Sequence, residues 1–206
     1  MTASTSTSSG NQKFSFNFAP QPTQDSDVLQ QLEFIPGLKE LLTIRQVHAL
    51  EHATVWVLSE LANSENSTSF DESIGGMSTP QGFYLYGSVN PSQLEEAVEV
   101  ALQRITSGQW DLAVHPRCGT NLSVAMTLTL GLALGINTLM PRKPIEQLLG
   151  FGIAATAAIQ IAPELGNLAQ KYLTTAIPFN LRVVNISVTQ DLWGRPAHFV
   201  QVSWLN

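Results

Sequence analysis

The chain has 206 residues, enough for one domain with a substantial hydrophobic core and some appendages. Its formal net charge of −6 argues against a general nucleic-acid-binding protein, which would present a basic surface. Only 13% of the residues are charged, about half the roughly 25% of an ordinary soluble protein, and this deficit is a first indication of membrane contact. Cys118 is the single cysteine, which excludes an intrachain disulfide and leaves its thiol free for packing, nucleophilic chemistry or metal binding.

Residues 1–27 are rich in Ser, Thr and Gln and are predicted to form a disordered tail. They have no basic segment followed by an apolar one, as a secretory signal would, so a cytoplasmic start is expected. The remainder, 28–206, is predicted to be a single domain. Its first element is a long helix from about Leu38 to Ala62, which contains no Pro or Gly and is apolar nearly all round its second half.

A polar loop from Asn63 to Ser73 follows, and then two short strands in SIGGM and GFYLYG, separated by turn residues. The next helix is expected to begin at Pro91, with Asn90 or Ser92 as its cap. The segment WDLAVH after it is predicted to be a strand that ends at His115.

Two apolar segments come next. The stretch from Cys118 to Met140 has no charged residue and is long enough to span a bilayer as a helix. A second segment, IEQLLGFGIAATAAIQIAPEL, is less apolar at its ends. Together they predict a membrane hairpin at about 120–165, and the alternative is a pair of core helices in a soluble protein. A C-terminal β-hairpin built from LRVVNISVTQDL and AHFVQVSWL completes an α+β fold with a long first helix and a small mixed sheet carrying one helix.

The sequence H-A-L-E-H at residues 48–52 carries the first chemical signal. On a helix, His48, Glu51 and His52 share one face, and two imidazoles one turn apart are well placed to hold Zn²⁺. H-x-x-E-H is also the inverted form of a zinc-peptidase motif, in which the carboxylate serves as general base. The alternative is a hydrogen-bonded His–Glu pair in the core.

A second cluster, H-P-R-C-G-T-N at residues 115–121, strengthens the metal hypothesis. It places His115 and Cys118, both good zinc ligands, in one turn. The expected ligands of a divalent metal, most simply zinc, are therefore His48, His52, His115 and Cys118. Arg117 is expected to anchor the turn near the membrane surface or to bind an anionic group. His198 lies on a predicted strand and is expected in the core or on the surface, with a cavity role as the weaker alternative.

These motifs resemble the YqhQ-like proteins, a bacterial family of predicted metal-dependent membrane proteins. Members carry H-G-A-E-H, then H-P-R-C-G-T-S before a hydrophobic segment, then G-L-x-L-Q-x-x-T-T. The chain has H-A-L-E-H, H-P-R-C-G-T-N and G-N-L-A-Q-K-Y-L-T-T in the same order, over roughly its middle two thirds. It departs in Ala49-Leu50, in Asn121 for serine and in having fewer membrane helices, so it is similar to a reduced relative, of a cyanobacterial type.

The resemblance implies a metal site at a membrane. Gln170, Thr174 and Thr175 match the third motif, and with Asn121 they are expected to orient the ligands or contact substrate. The alternative for the three later residues is an ordinary helix C-terminal turn.

Three functions remain open. One is a membrane zinc hydrolase or peptidase in which Glu51 is the general base and three ligands leave one position open. The second is a non-catalytic assembly, scaffold or metal-handling factor whose four ligands close the site. The third is a metal-free hydrogen-bonded cluster. Membrane lipid and a protein or peptide are the expected partners, without nucleic acid, and the domain is expected to face the cytoplasm.

Overall fold

A computed structural model describes residues 19–64, 74–87, 89–139 and 143–205. The elements in chain order are α1 (Gln24–Gln31), α2 (Leu38–Ser64), β1 (Gly75–Thr79), β2 (Gly82–Tyr86), α3 (Pro91–Thr106), a 3₁₀ helix (Trp110–Ala113), α4 (Gly119–Leu139), α5 (Pro144–Ala169), a π-helical turn (Gln170–Thr174), β3 (Leu181–Gln190) and β4 (Pro196–Trp204). The α+β class is confirmed. Helix α1 begins inside the segment predicted to be a tail, while the rest of that tail, 1–18, and residues 65–73 of the predicted polar loop lie outside the described residues.

The sheet joins two hairpins that are far apart in sequence. Its order is β1-β2-β4-β3, with antiparallel pairing between each pair of neighbours. The sheet predicted to be mixed is therefore antiparallel throughout the described chain. The predicted C-terminal hairpin is present, and the two short predicted strands pair as a second hairpin. Strands β2 and β4 pair through Phe83 and Val200, which are fully buried.

Helix α2 lies at the centre of the core. Its apolar residues Val47, Leu50 and Ala53 are fully buried against α3 and the sheet. Helix α3 packs its buried apolar residues against this core, and its first turn is capped by the side chain of Asn90, which accepts a hydrogen bond from the Ser92 amide at 3.0 Å. Burial of a leucine of this kind contributes about 1.5–3 kcal/mol, so α2 is held rigidly.

The predicted strand before His115 is wrong, because Trp110–Ala113 is a 3₁₀ helix. The cause is tertiary: two carbonyl groups in this region are acceptors for side chains of α2 and not for a neighbouring strand. His52 bonds the carbonyl of Ala113, and the Trp56 indole donates to the carbonyl of Val114. The segment therefore lies across α2 and carries His115 to the site.

Helices α4 and α5 pack against each other as a hairpin, and both are long and apolar enough to cross a membrane. At about 1.5 Å per residue, α4 reaches roughly 30 Å, the thickness of a bilayer core. In the most apolar window of α4 none of the residues is buried inside the fold, and in that of α5 only 22% are. The hairpin is therefore exposed along most of its length in this fold, and its insertion in a bilayer stays a prediction.

Candidate metal centre

One cavity of about 580 Å³ gathers most of the residues predicted to form the site. It is lined by the motif residues His48, Glu51, His52, His115, Arg117, Cys118 and Thr174. Asn121, Gln170 and Thr175 lie behind this wall, and His198 is not part of it. The cavity thus joins α2, the turn before α4 and the end of the π-helical turn.

Three side chains form a ligand triad: His48, His52 and Cys118. Their potential ligand atoms all lie within 4.8 Å of one another. The Sγ atom of Cys118 is 3.3 Å from Nε2 of His48. Zinc bonds of about 2.0–2.3 Å in a tetrahedron place ligand atoms roughly 3.3–3.7 Å apart, so a small contraction of the triad would enclose an ion.

Both histidines of the triad are held by backbone carbonyl groups. Nδ1 of His48 is 3.0 Å from the carbonyl oxygen of Thr174, and Nδ1 of His52 is 2.7 Å from that of Ala113. Because a carbonyl oxygen only accepts, the proton of each neutral ring lies on Nδ1. When a ring is neutral its Nε2 is therefore unprotonated, which is the state in which imidazole binds a metal.

The Cys118 thiol is buried immediately before α4. Burial raises its pKa, but a hydrogen bond from the protonated form of His52 and the positive charge of that form, together with hydrogen bonds from Thr120, bring the pKa below its ordinary value. The Thr120 amide donates to Sγ at 3.4 Å. A thiolate is the form that binds zinc, and the hydrogen bond from Thr120 favours this form whatever the charge of His52.

Glu51 is buried between α2 and β1. The Ser78 hydroxyl donates a 2.5 Å hydrogen bond to Oε2, and Oε1 lies against Gly76. Burial raises the pKa of Glu51, while the Ser78 hydrogen bond and the charge of His48 oppose that rise. The carboxylate therefore has a fixed position in the cavity wall and an increased affinity for a proton, although it is not a member of the triad.

His115 stands beside the triad. Its ring centre is 5.8 Å from that of His52 and 5.0 Å from that of Trp56. Burial, followed by the charges of His52 and Arg117, lowers its pKa to about 4, so the ring is neutral near pH 7. Nδ1 accepts a hydrogen bond from the Arg117 amide at 3.3 Å. Its role as a fourth ligand stays a prediction.

A chain of amides supports the turn from behind. Gln170 is fully buried, accepts a 2.8 Å hydrogen bond from the His115 amide and donates one of 2.8 Å to Oδ1 of Asn121. Asn121 in turn donates to the carbonyl of Pro116 at 2.8 Å. The hydroxyl of Thr175 donates to the carbonyl of Gln170 at 2.7 Å. These residues position the ligand turn without facing the cavity.

Several functional contacts have no counterpart in the sequence motifs. The carbonyl groups of Ala113 and Thr174, the hydroxyl of Ser78 and the close approach of Gly76 all act on the motif residues. The Gly75-Gly76 pair is visible in the sequence, but as a turn signal. Backbone acceptors have no residue-type signature, so no pattern could have indicated the two carbonyl groups.

A family model described as a domain of unknown function, DUF6391, matches residues 43–186. The chain belongs to the DUF6391 family. The matched region contains the whole triad, Glu51 and the supporting amides. An uncharacterized protein of Picosynechococcus sp. is 52% identical over 189 residues, which cover 91% of this chain and 92% of that protein. No solved structure matches the chain.

The cyanobacterial relative agrees with the cyanobacterial type expected from the motifs. The resemblance to the YqhQ-like proteins and the metal dependence that it implies stay predictions. What the structure shows in this member of the DUF6391 family is a His/His/Cys cluster that could hold a metal ion.

Proposed function

We propose that this protein is a membrane-anchored, metal-dependent hydrolase, with zinc as the favoured metal. His48, His52 and Cys118 would hold the ion, and Glu51 would act as general base. The observation that carries the proposal is that three ligand atoms lie together in an open cavity whose wall also contains a buried glutamate. Three protein ligands with a position left open are typical of catalytic zinc, whereas structural zinc has four.

The protein groups have distinct tasks in this proposal. Bound zinc would supply a Lewis acid that polarises a substrate carbonyl and acidifies water. Glu51, with its raised pKa, takes a proton from the attacking water, whose oxygen bonds to the carbonyl carbon. The bond from that carbon to the leaving nitrogen or oxygen then breaks, and Glu51 returns the proton to the leaving group. Ser78 holds the carboxylate in place throughout.

The membrane part of the proposal rests on the hairpin. Cys118 directly precedes α4, and the Thr174 carbonyl that orients His48 belongs to the last residue of the π-helical turn that follows α5. Both ends of the hairpin therefore meet at the triad. A hairpin inserted in a bilayer would place the site at the membrane surface.

A second function is favoured by the position of His115. Its neutral ring borders the triad and lines the same cavity, so it would supply a fourth ligand if the ring turned towards the ion. The resulting closed site would suit a non-catalytic metalloprotein that acts in assembly or metal handling.

Metal content separates these functions. The full chain, purified in detergent without chelators, would be compared by elemental analysis with His52→Ala, His115→Ala and His198→Ala. The hydrolase requires about one zinc per chain in the wild type, His115→Ala and His198→Ala, and far less in His52→Ala. If His115→Ala loses as much zinc as His52→Ala does, the closed four-ligand site is favoured. Metal far below stoichiometry in all four samples would overturn both.

Catalysis is tested by Glu51→Gln, which keeps an acceptor for Ser78 but cannot take up a proton. We expect metal content to be unchanged and the hydrolysis of casein and of p-nitrophenyl esters to fall by about a hundredfold or more. Equal rates for wild type and Glu51→Gln would exclude Glu51 as the base.

A further inference from the structure

The free edge of β1 borders the candidate metal centre. We propose that the cavity binds an extended polypeptide segment, which adds to the sheet as a strand along β1. The bound segment would be the substrate of the proposed hydrolase, so its cleavage rests on the proposed function. The binding mode itself can be tested separately.

The sheet order leaves β1 with one unpaired side. β2 pairs with it along its whole length, from Gly75 opposite Tyr86 to Thr79 opposite Gly82. Among the described residues no strand pairs with the other side of β1. An edge strand of this kind presents a row of amide and carbonyl groups that an added extended chain can satisfy.

The cavity is bounded by this strand. Gly75, Gly76 and Ser78 of β1 all line it, together with Ile74 just before the strand. Gly75 has no side chain that would keep another backbone away, whereas at Gly76 the Glu51 carboxylate occupies the place of a β-carbon. The strand with the free edge therefore borders the same cavity as the triad.

The proposed base is attached to the same strand. Ser78 hydrogen-bonds Glu51, and Gly76 packs on its carboxylate. On α2, His52 directly follows Glu51, and His48 precedes it by one turn. A peptide added along β1 would consequently have its carbonyl groups beside the base and the metal ligands at a fixed register.

The remaining wall indicates which side chains such a peptide has. It contains the apolar residues Leu41, Ile44, Val55, Ile74 and Leu173. Leu41 is 55% exposed and Leu173 is 71% exposed, and Leu173 lies in the turn that follows α5. Alternate side chains of an added strand point to one face, so this wall fits a segment with apolar residues at every second position.

Hydrogen exchange on the full-length Glu51→Gln variant in detergent micelles tests the binding mode. The probe is a mixture of nonapeptides made from Leu, Val, Ala and Ser, and its matched control is the same mixture N-methylated at alternate amides. We expect the free-edge amides of β1 to exchange about tenfold more slowly with the unmodified mixture. The opposite edge strand, β3, is the internal control and should not change.

Three results would overturn strand addition. They are no slowing at β1, equal slowing at β1 and β3, and equal slowing by the N-methylated mixture. A further sample contains dioleoylphosphatidylcholine and no peptide. If this lipid slows hydrogen exchange at β1 as much as the peptides do, the cavity is assigned to lipid instead.

Failure of the hydrolase is distinguishable from failure of strand addition. If peptides slow hydrogen exchange at β1 but the chain binds no metal and cleaves nothing, the peptide-binding site is supported and the hydrolase is excluded. Metal binding and casein hydrolysis that depend on Glu51, without slowing at β1, would keep the enzyme and remove the proposed binding mode.

Discussion

Gly76 lies so close to Glu51 that a β-carbon added at Gly76 would stand 2.1 Å from Oε1 and 2.8 Å from Cγ. Gly76→Ala must therefore displace a buried carboxylate that is also held by Ser78. We expect the free energy of unfolding to fall by about 1–3 kcal/mol, the usual cost of overpacking. Under the proposed function, hydrolysis should fall while metal content is kept.

Denaturant unfolding in detergent measures the change in Gly76→Ala. The matched control is Gly131→Ala in α4, where an added β-carbon meets no atom within 4 Å. A loss of stability in Gly131→Ala as large as that in Gly76→Ala would show that the contact with Glu51 is not the cause.

Gln170→Ala should weaken the ligand turn. The substitution removes the acceptor of the His115 amide, which is buried, and the donor to Asn121, which is partly buried. Each buried polar group left unpaired costs about 1–3 kcal/mol, and loss of support behind a metal ligand typically lowers metal affinity about 10–100-fold. Competition with a zinc-binding dye measures the affinity. Gln103→Ala on the exposed face of α3 is the control, and equal affinities in the two variants would contradict the supporting role.

Leu130→Arg should impair membrane integration. Leu130 lies in the middle of α4 and is 63% exposed. An arginine at the centre of a spanning helix costs about 3 kcal/mol relative to leucine on the insertion scale. Carbonate extraction of cell membranes measures the integrated fraction, which we expect to decrease.

Leu192→Arg provides the matched control for α4, because Leu192 is 82% exposed in the turn between β3 and β4, outside the hairpin. We expect this variant to remain in the membrane fraction. If both variants fractionate like the wild type, the hairpin does not anchor the chain.

Asp191 should make stability depend on pH in the acid range. Burial raises its pKa, but hydrogen bonds from Arg195, Tyr86 and Trp193 lower it to about 2, against 3.8 for an ordinary aspartate. Since the pKa is lower in the folded state, the stabilisation is complete above pH 3.8 and is lost as pH falls towards 2. Asp191→Asn lacks this titration.

Melting temperatures of wild type and Asp191→Asn, taken at pH 4 and pH 2, test this dependence. We expect the wild type to lose more stability over this interval than the variant does. If the melting temperatures of both proteins fall by the same amount, the turn does not stabilise the ionised form of Asp191.

Much of the fold follows from local patterns in the sequence. Helix α2 and the α4–α5 hairpin are long apolar segments, and the Asn90 cap is a residue-type signal at a helix start. The meeting of His48 and His52 also follows from helical periodicity. These features depend on neighbours in sequence, which is why they could be predicted.

The rest depends on tertiary contacts. WDLAVH alternates like a strand, yet its carbonyl groups bond to α2, and the segment becomes a 3₁₀ helix. The spacing in H-P-R-C predicts both His115 and Cys118 as metal ligands, but only Cys118 lies in the triad. The Ser78 contact to Glu51 joins β1 to α2 and has no local signature.

The placement of β4 between β2 and β3 has a consequence for the order of folding. β2 ends at Tyr86 and β4 begins at Pro196, with the hairpin between them. Once α4 and α5 have packed, with Gly166 against Asn121, residues 119–169 no longer lengthen the loop that the sheet must close. That roughly halves the loop and saves about 0.6 kcal/mol of closure entropy. The hairpin is also synthesised before β4, so this inner strand of the sheet joins a chain whose two apolar helices have already left the ribosome.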